Sequence, residues 1–419
     1  MNLFFAKKTI VMKKILFPLM LQLFVLCTAC SDDDLSSEPK ERQDIMLSRS
    51  EMQMVEENTK FAFSLFDKVN GYEEKPNWMI APFSTSLTLG MIANGTDGNT
   101  QTEIQEALGF NGFQLYEMND YYKKLSAELK VLDNTTRLYL ANSVWIDKGI
   151  NVHGSFTNTI EEKYDAQVSN LDFYSADALQ SINNWCAMQT NDQITRILDE
   201  IPENAKVCFL NALYFKGVWK NKFQESLTKD ETFYYADGRS KPVKMMMQND
   251  SFGYCHNENF ALAEFPYGNS AFSMVVLLPH ESKTLNECIQ LFDADYWTGS
   301  VEMVGQNLNV KFPRFEINSE INLMEVMMDM GVCDVFDHEK ADFSTMSSNS
   351  FFLGLLKQAS SIKVDEKGTE ATSVTIGSGM VAAPGPQDPV DFFINRPFAF
   401  LIKEKSTGTI LFMGKVTEL

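Results

Sequence analysis

Histidine is scarce in this chain of 419 residues: His153, His256, His280 and His338 stand far apart. None belongs to a His-Glu-x-x-His zinc helix. Gly377-Ser378-Gly379 lacks the frame of a nucleophile elbow. Gly95-Thr96-Asp97-Gly98-Asn99-Thr100 has no lysine and reads as a turn rather than a phosphate loop. No nucleophile with a neighbouring base is legible, so an enzyme is not expected, nor a metal or an organic cofactor. Positive charge is short as well, with 36 Lys and Arg against 56 Asp and Glu and a formal net charge of −20. Such a surface repels phosphate backbones, which excludes nucleic acid as a partner and argues against a heparin-type polyanion. Of 7 cysteines, Cys27 and Cys30 lie near the N-terminus. Cys186, Cys208, Cys255, Cys288 and Cys333 are odd in number and without metal spacing, so no disulfide framework is expected. No Pro/Ser/Gly tract or charge block divides the main body, and a hydrophobic content of 44% suffices for one large core.

Against these absences stands one unusual stretch, residues 364–375. It has strand chemistry without core-filling bulk at alternate positions. From Thr369, every second residue (Thr369, Ala371, Ser373, Thr375) is small and uncharged, while Glu370, Thr372 and Val374 lie between. Period-two alternation lets one set face an interior and the other solvent. Such a segment can live as a loop or as a buried strand. Glu366-Lys367-Gly368-Thr369-Glu370-Ala371, followed by small residues, resembles the reactive-loop hinge of inhibitory serpins.

The resemblance runs along nearly the whole chain in order. Pro82-Phe83-Ser84 with the Gly-rich turn at 95–98, Asn142-Ser143-Val144-Trp145 and Ile182-Asn183-Asn184-Trp185 are similar to successive family segments. Asn211-Ala212-Leu213-Tyr214-Phe215-Lys216-Gly217-Val218-Trp219 matches its most recognisable internal strand. Phe312-Pro313-Arg314-Phe315, Asn395-Arg396-Pro397-Phe398 and Phe412-Met413-Gly414-Lys415-Val416 complete the set. The chain is identified as a member of the serpin family, of inhibitory type and in a bacterial lipoprotein form. The resemblance implies an α+β fold of about nine helices and three β-sheets, with an exposed reactive-centre loop and a metastable native state.

It also implies a mechanism and its residues. A target protease attacks the loop and forms a covalent acyl-enzyme, and the freed loop inserts into the large sheet and distorts the enzyme. Counted from the hinge glutamate Glu366, the reactive bond is Ala382–Ala383. Met380 and Val381 set specificity with it. The small apolar approach suits elastase-like or chymotrypsin-like serine proteases and, further, papain-like cysteine proteases. Lys and Arg are absent from residues 368–393, which disfavours a trypsin-like target. The hinge comprises Glu366, Gly368, Thr369, Glu370, Ala371, Thr372, Ser373, Val374 and Thr375, with Thr369 expected to enter the sheet first, side chain inward. Ala81, Ser84, Asn211 and Gln358 occupy shutter positions, where Gln358 is expected to bond Asn211. Trp219 is expected over the breach as a gate, or as a plain core tryptophan.

At the N-terminus, Lys13-Lys14 precede the apolar run 15–27 and Thr28-Ala29-Cys30-Ser31-Asp32-Asp33-Asp34. A positive end, a short apolar stretch and small residues before a cut site form an export signal, and the run is short for a membrane span. Cys30 after Thr-Ala resembles a lipobox, although Cys27 holds the place usually given to Leu. The expected organisation is a lipoprotein signal peptide over 1–29, a flexible tether over 30–50 and the serpin domain over 51–419. That makes the protein exported, an outer-membrane lipoprotein exposed at the cell surface or secreted, touching the membrane only through a lipid anchor, and monomeric. Two other readings remain open: a non-inhibitory serpin acting as chaperone or carrier, and a surface ligand-binding lipoprotein.

Overall fold

Helix signals place the first element. Ser48 Oγ accepts from the Glu51 N–H (3.2 Å) while the Glu51 carboxylate accepts from the Ser48 N–H (2.6 Å). This capping box starts α1 (Arg49–Tyr72). The computed structural model describes residues 39–369 and 388–419. Next come β1 (Asn77–Ile80), α2 (Pro82–Gly95), α3 (Gly98–Ala107) and α4 (Leu115–Leu129). After them lie β2 (Thr136–Asp147), α5 (Gly154–Tyr164), β3 (Ala166–Leu171), α6 (Ala178–Gln189) and β4 (Val207–Val218). A run of strands follows: β5 (Lys229–Tyr234), β6 (Ser240–His256), β7 (Phe260–Pro266) and β8 (Phe272–Pro279). The chain continues through α7 (Leu285–Leu291), α8 (Ala294–Ser300), β9 (Val304–Pro313), β10 (Phe315–Asn322) and α9 (Met324–Asp329). It closes with β11 (Lys357–Val364), β12 (Gly368–Thr369), β13 (Val390–Phe393), β14 (Phe398–Glu404) and β15 (Ile410–Val416).

These strands make two hydrogen-bonded sheets among the described residues. One has six strands in the order β10-β11-β12-β4-β2-β3. The other has nine, β1-β15-β14-β8-β7-β6-β9-β13 with β5 added on β6. The three sheets of the family pattern appear as two units because β6 is 17 residues long. One end of it pairs with β7 through Gly253–His256, and the rest pairs with β9 and β5. A single strand therefore carries the ladder from one smaller sheet into the next.

Helix α2 decides where the core sits. Every residue from Pro82 to Gly95 is buried, as a helix without a polar face must be. It lies behind the six-stranded sheet and brings Ser84 and Thr85 to the backs of β4 and β11. The compact body begins earlier than residue 51. Ile45 is buried, its N–H donates to Ser406 Oγ (3.0 Å), and α1 has started by Arg49. The second half of the segment expected as a tether thus docks on the turn before β15. Cys186, Cys208, Cys255, Cys288 and Cys333 are all unbridged. Burial pushes the Cys186 and Cys208 thiols up to about 12, so both behave as small apolar side chains. Among the described residues no helix is long and apolar enough to cross a membrane.

Candidate functional site: a hinge seated in the large sheet

Strand β11 ends in a tight turn that folds the chain back on itself. The Gly368 N–H donates to the Asp365 carbonyl (3.3 Å) and the Asp365 N–H to the Gly368 carbonyl (2.9 Å). Asp365 Oδ1 also accepts from the Lys367 N–H (2.9 Å); an aspartate stabilises a turn this way. The short strand β12 then runs back between β11 and β4. Val364 faces Thr369 on one side, while Gly368 and Thr369 face Val218 and Gly217 on the other. Only glycine fits at 368: a Cβ there would lie 2.0 Å from the Gly217 carbonyl oxygen.

The carbonyls of Asp365, Glu366 and Lys367 each have a partner on the surrounding frame, as buried backbone requires. Trp219 donates twice, from its backbone N–H to Lys367 (2.8 Å) and from Nε1 to the Asp365 carbonyl (2.9 Å). The Phe223 N–H donates to the Glu366 carbonyl (3.0 Å). The Glu366 side chain is 4% exposed and meets Arg314 through two nitrogens, Nε (2.8 and 2.9 Å) and Nη2 (2.6 Å). Thr228 Oγ1 donates to the same carboxylate. Burial pushes the Glu366 pKa up, but the Arg314 and Thr228 bonds outweigh it and hold the carboxyl below the usual glutamate range. Thr369 is fully buried, its Oγ1 2.6 Å from the Tyr267 hydroxyl, and Tyr267 stacks on Trp219 with ring centroids 4.3 Å apart.

This placement revises one expectation. Thr369 does point inward, but it is already in the sheet rather than waiting to enter it. Below it, β4 and β11 still pair directly in parallel, Ala212 to Ala359 through Tyr214 to Ser361. The large sheet is therefore split at one end by β12 and closed at the other. Glu370, Ala371, Thr372, Ser373, Val374 and Thr375 lie outside the described residues, as do Met380, Val381, Ala382, Ala383 and Cys30. The chain becomes described again at residue 388 and pairs as β13 with β9 in the other sheet.

The shutter differs from expectation. Gln358 does not bond Asn211. Its Oε1 accepts from the Ala81 N–H (2.7 Å), and its Nε2 donates to the Ala81 carbonyl (3.0 Å) and Thr85 Oγ1 (2.9 Å). The Ala81 carbonyl already accepts the first helical bond from the Thr85 N–H (3.0 Å), and Gln358 supplies the partner of the Ala81 N–H while adding a second donor to that carbonyl. Asn211 instead accepts from Ser84 Oγ and donates to Asn142 Oδ1 (2.5 Å). The polar network therefore has two halves, one on β4 and one on β11, and both hold α2. No side-chain bond among the described residues crosses directly from Asn211 to Gln358, so the strands can part there without breaking one.

Trp219, expected over the breach or in the core, is a buried residue bonded to the turn at 365–367. Tyr267, Thr228 and Thr85 were not singled out from the sequence, and Asn142 stood only within a family-like segment with no role given to it. Arg314 had a faint signal, a lone cation between Phe312-Pro313 and Phe315. Among the described residues no cluster of His, Cys, Asp and Glu could hold a metal ion.

A family profile described as Serpin (serine protease inhibitor) matches residues 56–419. The human leukocyte elastase inhibitor is 32% identical over 377 residues, covering 87% of this chain and 98% of that protein. The Xenopus laevis leukocyte elastase inhibitor is 31% identical over 372 residues, 85% of this chain and 97% of that one. Among solved structures, the thermophilic serpin tengpin in its native state superposes with a TM-score of 0.80 at 26% identity, covering 91% of this chain and 97% of its own. Thyroxine-binding globulin in complex with thyroxine superposes with a TM-score of 0.79 at 25% identity, covering 87% and 99%.

Proposed function

Because the chain belongs to the serpin family, and is thus an inhibitor and not an enzyme, we propose that it traps endopeptidases covalently by inserting its own cleaved loop. The observation that carries this reading is the hinge. A strand two residues long, Gly368–Thr369, already lies between β4 and β11, and the alternation that starts at Thr369 continues in the sequence with Ala371, Ser373 and Thr375. None of these is too large or charged for a sheet interior. In the reaction, the protease serine or cysteine adds to the Ala382 carbonyl, the Ala382–Ala383 bond breaks, and Ala383 leaves with a protonated amine. The acyl-enzyme tethered to Ala382 then competes between water and strand insertion. Each new backbone hydrogen bond contributes about 0.5–1.5 kcal/mol net to insertion.

For targets, elastase-like and chymotrypsin-like serine proteases come first, and papain-like cysteine proteases follow. Ala382 with Met380 and Val381 before it suits small or medium apolar pockets, and the relatives named above are called elastase inhibitors. Cys30 is proposed as the lipidated residue holding the inhibitor at the outer membrane, since Thr28-Ala29-Cys30 and the acidic residues after it fit such an anchor. Mixing the protein with pancreatic elastase and running a denaturing gel tests the reading. The expected result is a covalent band near the summed masses. A clipped chain alone points to a substrate-like or carrier serpin, and an unchanged chain points to a binding protein.

A further inference from the structure

Helix α6 and the chain that follows it lie across the large sheet where β4 and β11 still pair. The helix and its connection to β4 share one apolar cluster with Ala141 and Trp145 of β2 and Cys208, Leu210 and Ala212 of β4. Among the described residues β11 adds only Ala359 to it. Asn183 ties the connection to the helix. Its Oδ1 accepts from the Ile197 N–H (2.9 Å) and the Leu198 N–H (3.0 Å), and its Nδ2 donates to the Leu198 carbonyl (2.9 Å). Helix and connection therefore behave as one unit, and most of the apolar surface that seats the unit belongs to β2 and β4.

One charged contact runs the other way, from this unit to β11. The carboxylate of Asp199, next after Leu198, accepts from Lys357 Nζ (2.8 Å) at the start of β11. The same Nζ donates to the Glu320 carboxylate of β10 (2.7 Å), and the lysine side chain is 13% exposed. Asp199 also pairs with Arg196 inside the connection. Two residues along from Lys357, Ala359 pairs with Ala212, so the Lys357–Asp199 bond spans the seam between β11 and β4. A strand entering that seam moves β11 away from β4 by about 4.8 Å. β10 pairs with all of β11 and travels with it, which keeps the Glu320 bond. The α6 unit stays on β2 and β4, and a 2.8 Å bond to Asp199 does not survive such a step. We propose that Lys357 is a positioning residue for the trapping reaction. With Asp199 it latches the α6 unit across the closed seam and sets how fast the sheet opens to an incoming strand. This rests on the loop-insertion reading and deepens it, since the latch belongs to the starting state alone.

The test follows covalent complex formation with excess pancreatic elastase over time, and measures thermal midpoints of the intact and the loop-nicked protein. It compares wild type with Asp199→Asn, Lys357→Met, the double variant and Glu320→Gln. Asp199→Asn should quicken complex formation by roughly two- to fivefold. It should lower the intact midpoint by about 1–2 °C and leave the nicked one where it was. A merely structural ion pair would lower both midpoints and quicken nothing. Lys357→Met should give the same gain in rate, and the double variant no more than either single one. Glu320→Gln touches the same lysine on the side that does not cross the seam, and should not quicken the reaction. If wild type forms the complex and gains stability on nicking but Asp199→Asn leaves the rate unchanged, the latch is wrong and loop insertion stands. A gain in rate that Glu320→Gln shares overturns the latch as well. If nicking leaves the wild-type midpoint unchanged, the loop-insertion reading fails and the latch fails with it.

Discussion

Replacing Thr369 by Arg puts the insertion mechanism under the sharpest strain. Thr369 is fully buried between Gly217 and Val364, and its hydroxyl lies 2.6 Å from that of Tyr267. A phenol does not neutralise a guanidinium, and burial raises the Tyr267 pKa, so no tyrosinate forms there. An uncompensated buried charge costs about 3–5 kcal/mol. At 1.4 kcal/mol per factor of ten, insertion should slow by roughly a thousandfold. In the intact protein the same cost expels β12 from the sheet, which breaks the bonds of Trp219 to the Lys367 and Asp365 carbonyls. The scissile bond is remote and should be cut at the usual rate. Deacylation then wins, and the elastase mixture should yield clipped inhibitor and active protease. Thr369→Val is the control. It keeps the shape and loses only the bond to Tyr267, about 1–3 kcal/mol in both the intact and the inserted state. The balance between trapping and release should therefore hardly move. Covalent complex formed by Thr369→Arg at wild-type stoichiometry would refute the reasoning.

Four further outcomes are expected, the last two from the sequence alone. Because Arg314 and Thr228 hold the Glu366 pKa down, their bonds stabilise the fold above the ordinary glutamate value of 4.5 and are lost as pH falls through the folded value. The midpoint difference between wild type and Glu366→Gln should be full at neutral pH and vanish on acidification from 4.5 downward; a difference constant with pH contradicts it. If the loop inserts by continuing the ladder of β12, position 370 falls between Lys216 of β4 and Lys363 of β11, and Glu370→Arg would then align three cations. It should shift the balance toward release by roughly tenfold after solvent screening, read as inhibitor consumed per protease inactivated. N-terminal sequencing of the released C-terminal fragment should begin at Ala383, and a start outside 381–385 sinks that bond. Cys30→Ser should move the protein from the envelope to the soluble fraction without loss of inhibition, and a wild type already wholly soluble ends the anchor proposal.

The parts of this site that a local pattern specifies were legible in the sequence. Thr369, the first residue of the alternation, does face inward, and Gly368 stands where a backbone needs close approach; positions 371, 373 and 375 lie outside the described residues. That Thr369 is already seated was not legible. It depends on Trp219 after β4, Thr228 before β5, Tyr267 after β7 and Arg314 after β9, and only the tertiary fold gathers these around one turn. The shutter failed for a related reason. Gln358 and Asn211 sit at the positions the family pattern names, yet the Gln358 amide goes to the Ala81 N–H at the start of α2, while Asn211 is taken by Ser84 and Asn142. The two-sheet ladder was hidden because the length of β6 depends on its pairing at both ends.

Loop insertion is tested most directly by comparing the stability of the intact protein with that of the protein nicked once within residues 379–385. If the loop becomes a strand between β4 and β11, the nicked form gains a ladder on both edges and loses the split held open by β12. About 10 kcal/mol of added hydrogen bonding and burial should raise its thermal midpoint on the order of 10–20 °C. Identical midpoints for the two forms, or a nicked form that unfolds sooner, would contradict the account.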